Sequence, residues 1–144
     1  EVVEQKIIAE LADRDKEVRA HEMAHAAVGG STTGAPSYSY ETGPDGKKYV
    51  VDGEVSVDLS IVAGDPQATI SKMQKVYAAA LAPAQPSAQD LRVASSATKN
   101  ILEAQSELAG LNSATNRSDQ DGPSKLSGVE SNVGRNGHHR AWGL

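Results

Sequence analysis

The sequence contains no cysteine and no phenylalanine, a single tryptophan, and only 3% aromatic residues in all. Without cysteine there are neither disulfides nor thiolate ligands, so any metal centre must be assembled from His, Asp, Glu and water. With so few aromatics, a chain of 144 residues builds one modest aliphatic core, a single domain by length. An ion bound only by the folded state would add appreciably to the stability of such a core. No apolar run approaches the roughly 20 residues of a membrane span, and no secretory leader pattern opens the chain. Because the sequence begins at Glu1 rather than at a methionine, its location stays open. Basic runs are missing as well. The net charge of -5 and the pI near 5.3 argue against a nucleic-acid partner, which would require a basic patch.

What is present is one dense patch of chemistry, Glu17-Val18-Arg19-Ala20-His21-Glu22-Met23-Ala24-His25, which contains the pattern H-E-x-x-H. On a helix, residues four apart share a face, so His21 and His25 can turn imidazole nitrogens toward one point. Two imidazoles so placed hold Zn²⁺, and Glu22, about 100° further round the helix, is positioned to act as general base toward a water at the ion. Small neighbours such as Ala20, Ala24, Ala26 and Ala27 favour the helix and leave room around the histidines. The bland alternative is a surface helix that carries two histidines and an acid by coincidence.

Apolar residues recur at helical spacing from Val3 to about Val28, with Leu11 and Val18 on the stripe, and Gly29-Gly30 supplies the stop. The charged run Asp13 to Glu17 reads as a solvated face, or else Asp13 or Asp15 caps a break into two helices. Residues 37 to 51 read as a hairpin about the turn Gly43-Pro44-Asp45-Gly46. Asp52-Gly53 reads as a break, and 54 to 61 alternates again, with Val55, Val57, Leu59 and Ile61 on one face and Glu54, Ser56, Asp58 and Ser60 on the other. Asp65-Pro66 opens a helix that Pro83 and Pro86 end, and Ser87 caps another to about Ala109. The expectation is an α+β fold with a long N-terminal helix, a small antiparallel β-meander, a C-terminal helical hairpin and an irregular tail. Residues 1–109 would form the domain and 110–144 the polar tail. His138-His139, adjacent and in that tail, is read as carrying no metal.

A catalytic zinc takes three protein ligands and leaves one position for water. Val28 and Ser31 stand where an extended H-E-x-x-H-x-x-G-x-x-H motif would need glycine and histidine, so the third ligand should be a carboxylate. Among Glu41, Asp45, Asp52, Glu54, Asp58 and Asp65, the expectation ranks Glu54 first and Asp58 second, since both share a strand face behind a glycine. If Glu54 binds the metal, Asp58 could orient a histidine as an outer acceptor. Tyr38 and Tyr40 lie on one face of the preceding strand, where Tyr40 could donate to a developing oxyanion or simply pack.

With these motifs go Gly-Ala-Pro-Ser-Tyr-Ser-Tyr-Glu-Thr-Gly-Pro-Asp-Gly-Lys-Lys-Tyr (34 to 49), Gly53-Glu54-Val55, Gly64-Asp65-Pro66 and Ala80-Leu81-Ala82-Pro83-Ala84. Over Glu17 to Pro86 the sequence resembles the SprA-related family of bacterial metalloproteases, which is known for a Gly-Glu-Val motif. That resemblance implies a zinc peptidase and supports Glu54 as third ligand. The expected activity is therefore a zinc-dependent hydrolase acting on a peptide or protein substrate, with catalytic residues Glu22 and Tyr40 and metal ligands His21, His25 and Glu54. The rival is a non-catalytic, zinc-stabilised interaction module of a larger bacterial protein.

Overall fold

In a computed structural model of the chain, the backbone is described for residues 1–121 and 139–143, and side chains as far as residue 114. Helix α1 runs unbroken from Val2 to Gly29, its β-branched start (Val2, Val3, Ile7, Ile8) interspersed with the better helix formers Glu4, Gln5 and Lys6. It stops where Gly30 takes φ 54°, a conformation that favours glycine, with its N–H returned to the Ala26 carbonyl. The charged run does not break the helix. Asp15 accepts from the Val50 amide at 2.7 Å and Arg14 donates to the Val51 carbonyl at 2.9 Å, so part of the expected solvated face ties α1 to the sheet. Leu11 and Val18 are buried as the stripe requires, whereas Val3 and Ile7 are exposed. The turn of the hairpin meets α1 at Leu11, beside Gly43, and the helical turns before it stand clear.

After a short 3₁₀ turn, strand β1 (Ser37–Thr42) pairs antiparallel with β2 (Lys48–Asp58) about the expected turn, closed by Gly46 N–H to the Gly43 carbonyl at 3.0 Å. Asp52-Gly53 is not a break. It lies inside one eleven-residue strand, so the second and third strands of the expected meander are a single β2. The register shifts between Ser39 and Tyr40, which leaves Val51 as an extra residue on β2, and this bulge absorbs the irregularity. Beyond the bulge the expected alternation holds: Val55, Val57 and Leu59 are buried, Glu54 and Ser56 exposed.

Helix α2 (Pro66–Ala80) begins as its sequence implies, with the Asp65 side chain accepting from the Ala68 amide at 3.0 Å and proline in the first turn. Helix α3 spans Ala88–Asp121, twelve residues past the expected end at Ala109. An interior glycine costs about 1 kcal/mol against alanine but ends a helix only when it leaves the helical region, and Gly110 keeps a negative φ. A third strand, β3 (His139–Gly143), pairs antiparallel with Glu54–Asp58 of β2, giving a sheet of order β1-β2-β3 where only irregular tail was expected. His138 lies outside the described residues.

The core joins the buried face of β2 to the α2–α3 hairpin: Val55, Val57 and Leu59 pack with Met73, Val76, Ala79 and Ala80, and with Val93, Ala94 and Ala97. This is the α+β architecture the sequence implies. No described helix is long and apolar enough to cross a membrane.

Candidate metal centre

The helical hairpin brings two ends to one place, the last turn of α2 and the first turn of α3, and both meet the C-terminal third of α1 at His21 and His25. His25 is fully buried, and its Nδ1–H donates at 2.8 Å to the Ala79 carbonyl in the last turn of α2, which also accepts from the Ala82 amide at 3.2 Å. That bond assigns the tautomer. Nε2 of His25 lies 3.2 Å from His21 Nε2 and 3.0 Å from Asp90 Oδ1, while Asp90 Oδ2 lies 3.0 Å from His21 Nε2. Asp90 Oδ1 is buried and, despite its short distance to the ring, makes no hydrogen bond of good geometry.

Asp90 is fixed from its own helix. Ser87 and Asp90 form a reciprocal capping box, with the Ser87 amide donating to Asp90 Oδ2 at 2.8 Å and the Asp90 amide donating to Ser87 Oγ at 3.1 Å. Burial pushes the Asp90 carboxyl up, but the His25 ring and the Ser87 amide outweigh it and hold the pKa below the ordinary value. Burial in turn lowers the pKa of His21, against the opposing pull of Asp90. An ionised carboxylate beside a His21 kept neutral is the protonation state a metal requires of its ligands.

His21, His25 and Asp90 thus form a group able to hold one ion. For a tetrahedral centre with metal–ligand bonds of about 2.0–2.1 Å, donor atoms stand about 3.3 Å apart. The two imidazole nitrogens stand 3.2 Å apart, close to that spacing, each lies 3.0 Å from a different oxygen of Asp90, and one donor atom from each of the three residues falls within 4.8 Å of the others. The donor set, two imidazoles and a carboxylate, suits a first-row divalent metal ion.

Glu22 is fully buried, and neither carboxylate oxygen has a hydrogen-bond partner. Burial, the largest cause, raises its pKa to about 7; Asp90, Asp52 and Glu54 add to the rise and His25 opposes it. The space for its stem exists because position 53 is glycine. A Cβ there would stand 2.9 Å from Glu22 Cγ, 3.0 Å from Val18 Cγ1 and 3.1 Å from Tyr38 Cδ1. Gly53→Ala is therefore expected to cost about 1–3 kcal/mol and to displace Glu22, read as a lowered melting temperature with the fold retained.

The sequence-derived residues distribute unevenly about this centre. His21, His25 and Glu22 converge as expected. Glu54 is exposed and outside the ligand group; with Ser37, Tyr38, Ser39, Asp52 and Gly53 it lines an open depression of about 210 Å³. Tyr40 is 53% exposed, opposite Val50 and on the far side of the bulge from Gly53, whereas Tyr38 is paired with Gly53 and stacks 5.4 Å from the Arg19 guanidinium. The acceptor that orients His25 is Ala79 and not Asp58.

Asp58 instead pairs with Lys72 at 3.0 Å and accepts from Ser60. Burial pushes its pKa up, yet the Ser60 hydroxyl and amide and the Lys72 ammonium bring it to about 2. A carboxylate with a depressed folded-state pKa contributes stability that is present above about pH 4 and lost as pH falls through about 2. Asp58→Asn should accordingly lower the melting temperature at pH 7, with the gap from wild type closing in acid titration near pH 2. A gap that persisted there would contradict the pairing.

Asp90 is distant in sequence from the H-E-x-x-H helix and from the strand carboxylates, and only the packing of the helical hairpin brings it to the histidines. The signal that could have found it is Ser87-x-x-Asp90, a capping box at the helix end that the proline link turns back toward α1.

Among known proteins, the model of the SprA-related family matches residues 1–136, extending the likeness of Glu17 to Pro86 in both directions. No curated protein and no solved structure matches the chain.

Proposed function

We propose that this chain, which belongs to the SprA-related family, is a zinc-dependent peptidase with His21, His25 and Asp90 as metal ligands and Glu22 as general base. The observation that carries the reading is Glu22, a fully buried carboxyl with both oxygens unpartnered beside the ligand group. Leaving a buried polar group unsatisfied costs about 1–3 kcal/mol, more if it is charged, and such a cost persists where a ligand or reactant completes the site. When bound, Zn²⁺ would supply the positive charge that polarises a scissile carbonyl and acidifies water.

The remaining steps belong to the chain. Glu22, whose pKa burial raises to about 7 in the metal-free protein, is the group placed to accept a proton from the attacking water and return it to the leaving amine. Ala79 and the Ser87–Asp90 box hold the ligands in place before any ion arrives, so little reorganisation is required on binding. Tyr38 and Tyr40 on β1 offer hydroxyls to a developing oxyanion, and Tyr38 is the one whose ring, like Glu22, packs over Gly53.

A structural zinc that holds an interaction module together is the second reading, favoured by the near-complete burial of the same four side chains. In it Glu22 closes the centre as a fourth ligand. The test of the peptidase reading is hydrolysis of unstructured polypeptide by zinc-loaded protein. Cleavage that stops on chelation and returns with zinc is expected; a zinc-loaded protein that cleaves nothing would contradict it.

A further inference from the structure

The outer edge of β2, opposite β1, is covered in two parts. Toward its start, Arg14 and Asp15 of α1 bond the Val51 carbonyl and the Val50 amide, so the helix that carries His21, Glu22 and His25 lies against the strand there. From Glu54 to Asp58 the cover is β3, registered Glu54 with Gly143 through Asp58 with His139. The register carried one step further reaches Gly53, the residue against which Glu22 packs. β3 also touches both α1 and α3, the helices that carry the ligand group.

β3 is a short strand, and no tight hairpin delivers it: α2 and α3 intervene between β2 and it in the chain. On the edge itself it is registered through a backbone ladder of five residue pairs. An unfilled edge at Glu54–Asp58 would present a row of free N–H and C=O groups, the template to which an extended peptide adds as a further strand.

We infer that the Glu54–Asp58 edge is a receptor for an extended peptide running antiparallel to β2, and that His139–Gly143 occupies it as the chain's own competitor. A peptide laid in the place of β3 enters along the strand that leads to Gly53 and Glu22. Recognition by the backbone ladder selects unstructured or unfolded segments over folded surfaces, and it depends little on side-chain identity. The catalytic consequence rests on the peptidase reading above; the binding does not.

The test uses the full chain and a fluorescent peptide with the sequence of residues 139–143. Arg140→Pro and Ala141→Pro are compared with wild type, because neighbouring strand residues point their N–H groups to opposite sides and one of the two prolines must remove a ladder bond. At least one variant should bind the peptide about tenfold or more tightly than wild type, whose edge is vacant in only a small fraction of molecules. Equal binding, or none by either variant, would overturn the inference.

A second measurement needs no variant. Trp142 is the sole tryptophan, so its emission reports β3. A tryptophan-free version of the peptide should free β3 from the sheet and lower the anisotropy of that emission saturably, and an unchanged anisotropy at peptide excess would count against the inference. Peptide bound by the zinc-loaded variants without cleavage would sink the peptidase reading and leave the receptor edge standing. Cleavage without any competition from the peptide would do the reverse.

Discussion

Glu22→Gln is expected to retain zinc at wild-type affinity and to lose hydrolysis by a factor on the order of 10²–10⁴, the usual weight of a general base. Glutamine keeps the volume in the gap left by Gly53 while removing the titrating group. The same substitution exchanges a buried, unpartnered carboxyl for a neutral amide, so the metal-free variant should melt no lower than wild type. This combination separates the two roles open to Glu22. As a fourth ligand of a structural centre, its loss would weaken zinc binding together with stability; as a base, it leaves both intact. Zinc titration, a melting curve and a hydrolysis assay on the one variant decide between them.

Asp90→Ala carries the second large effect, because one side chain serves two structures. It holds both imidazoles at 3.0 Å and closes the capping box with Ser87. Loss of a direct ligand should weaken zinc at least as much as loss of an outer partner does, by about 100-fold or more. Loss of the cap should cost a further 0.5–2 kcal/mol, roughly, with or without metal. Ser87→Ala isolates the second contribution: it should lower stability of the metal-free protein by a similar amount and leave most of the zinc affinity. If Ser87→Ala and Asp90→Ala weakened zinc equally, Asp90 would be acting through the helix end and not as a ligand.

The legible parts of this molecule are those set by neighbours in the sequence. Asp65-Pro66 announces a helix start, Gly29-Gly30 a stop, and Gly43 to Gly46 a turn, because caps and turns satisfy backbone groups within a few residues. The His21–Glu22–His25 spacing is legible for the same reason. Gly53 was misread as a break because its purpose is non-local: it admits Glu22 from α1 while the strand continues past it. Asp90 was missed because a third ligand is chosen by which helix end folds back onto α1, and only packing decides that. β3 is further still from the reach of pattern reading, since a five-residue strand becomes a strand only by finding the edge of β2 across two intervening helices. Composition pointed correctly to a thin core, and that core is built of valine, alanine, one leucine and one methionine without a single phenylalanine.

The central claim is that His21, His25 and Asp90 hold one metal ion beside Glu22. Its most direct test is the zinc content of purified wild type, Asp90→Ala and Glu54→Ala after the same zinc loading and buffer exchange. The account predicts about one zinc per chain in wild type and in Glu54→Ala, and far less in Asp90→Ala, because Glu54 is exposed and outside the ligand group. Zinc lost from Glu54→Ala but kept by Asp90→Ala, or no zinc in the wild type at all, would contradict it.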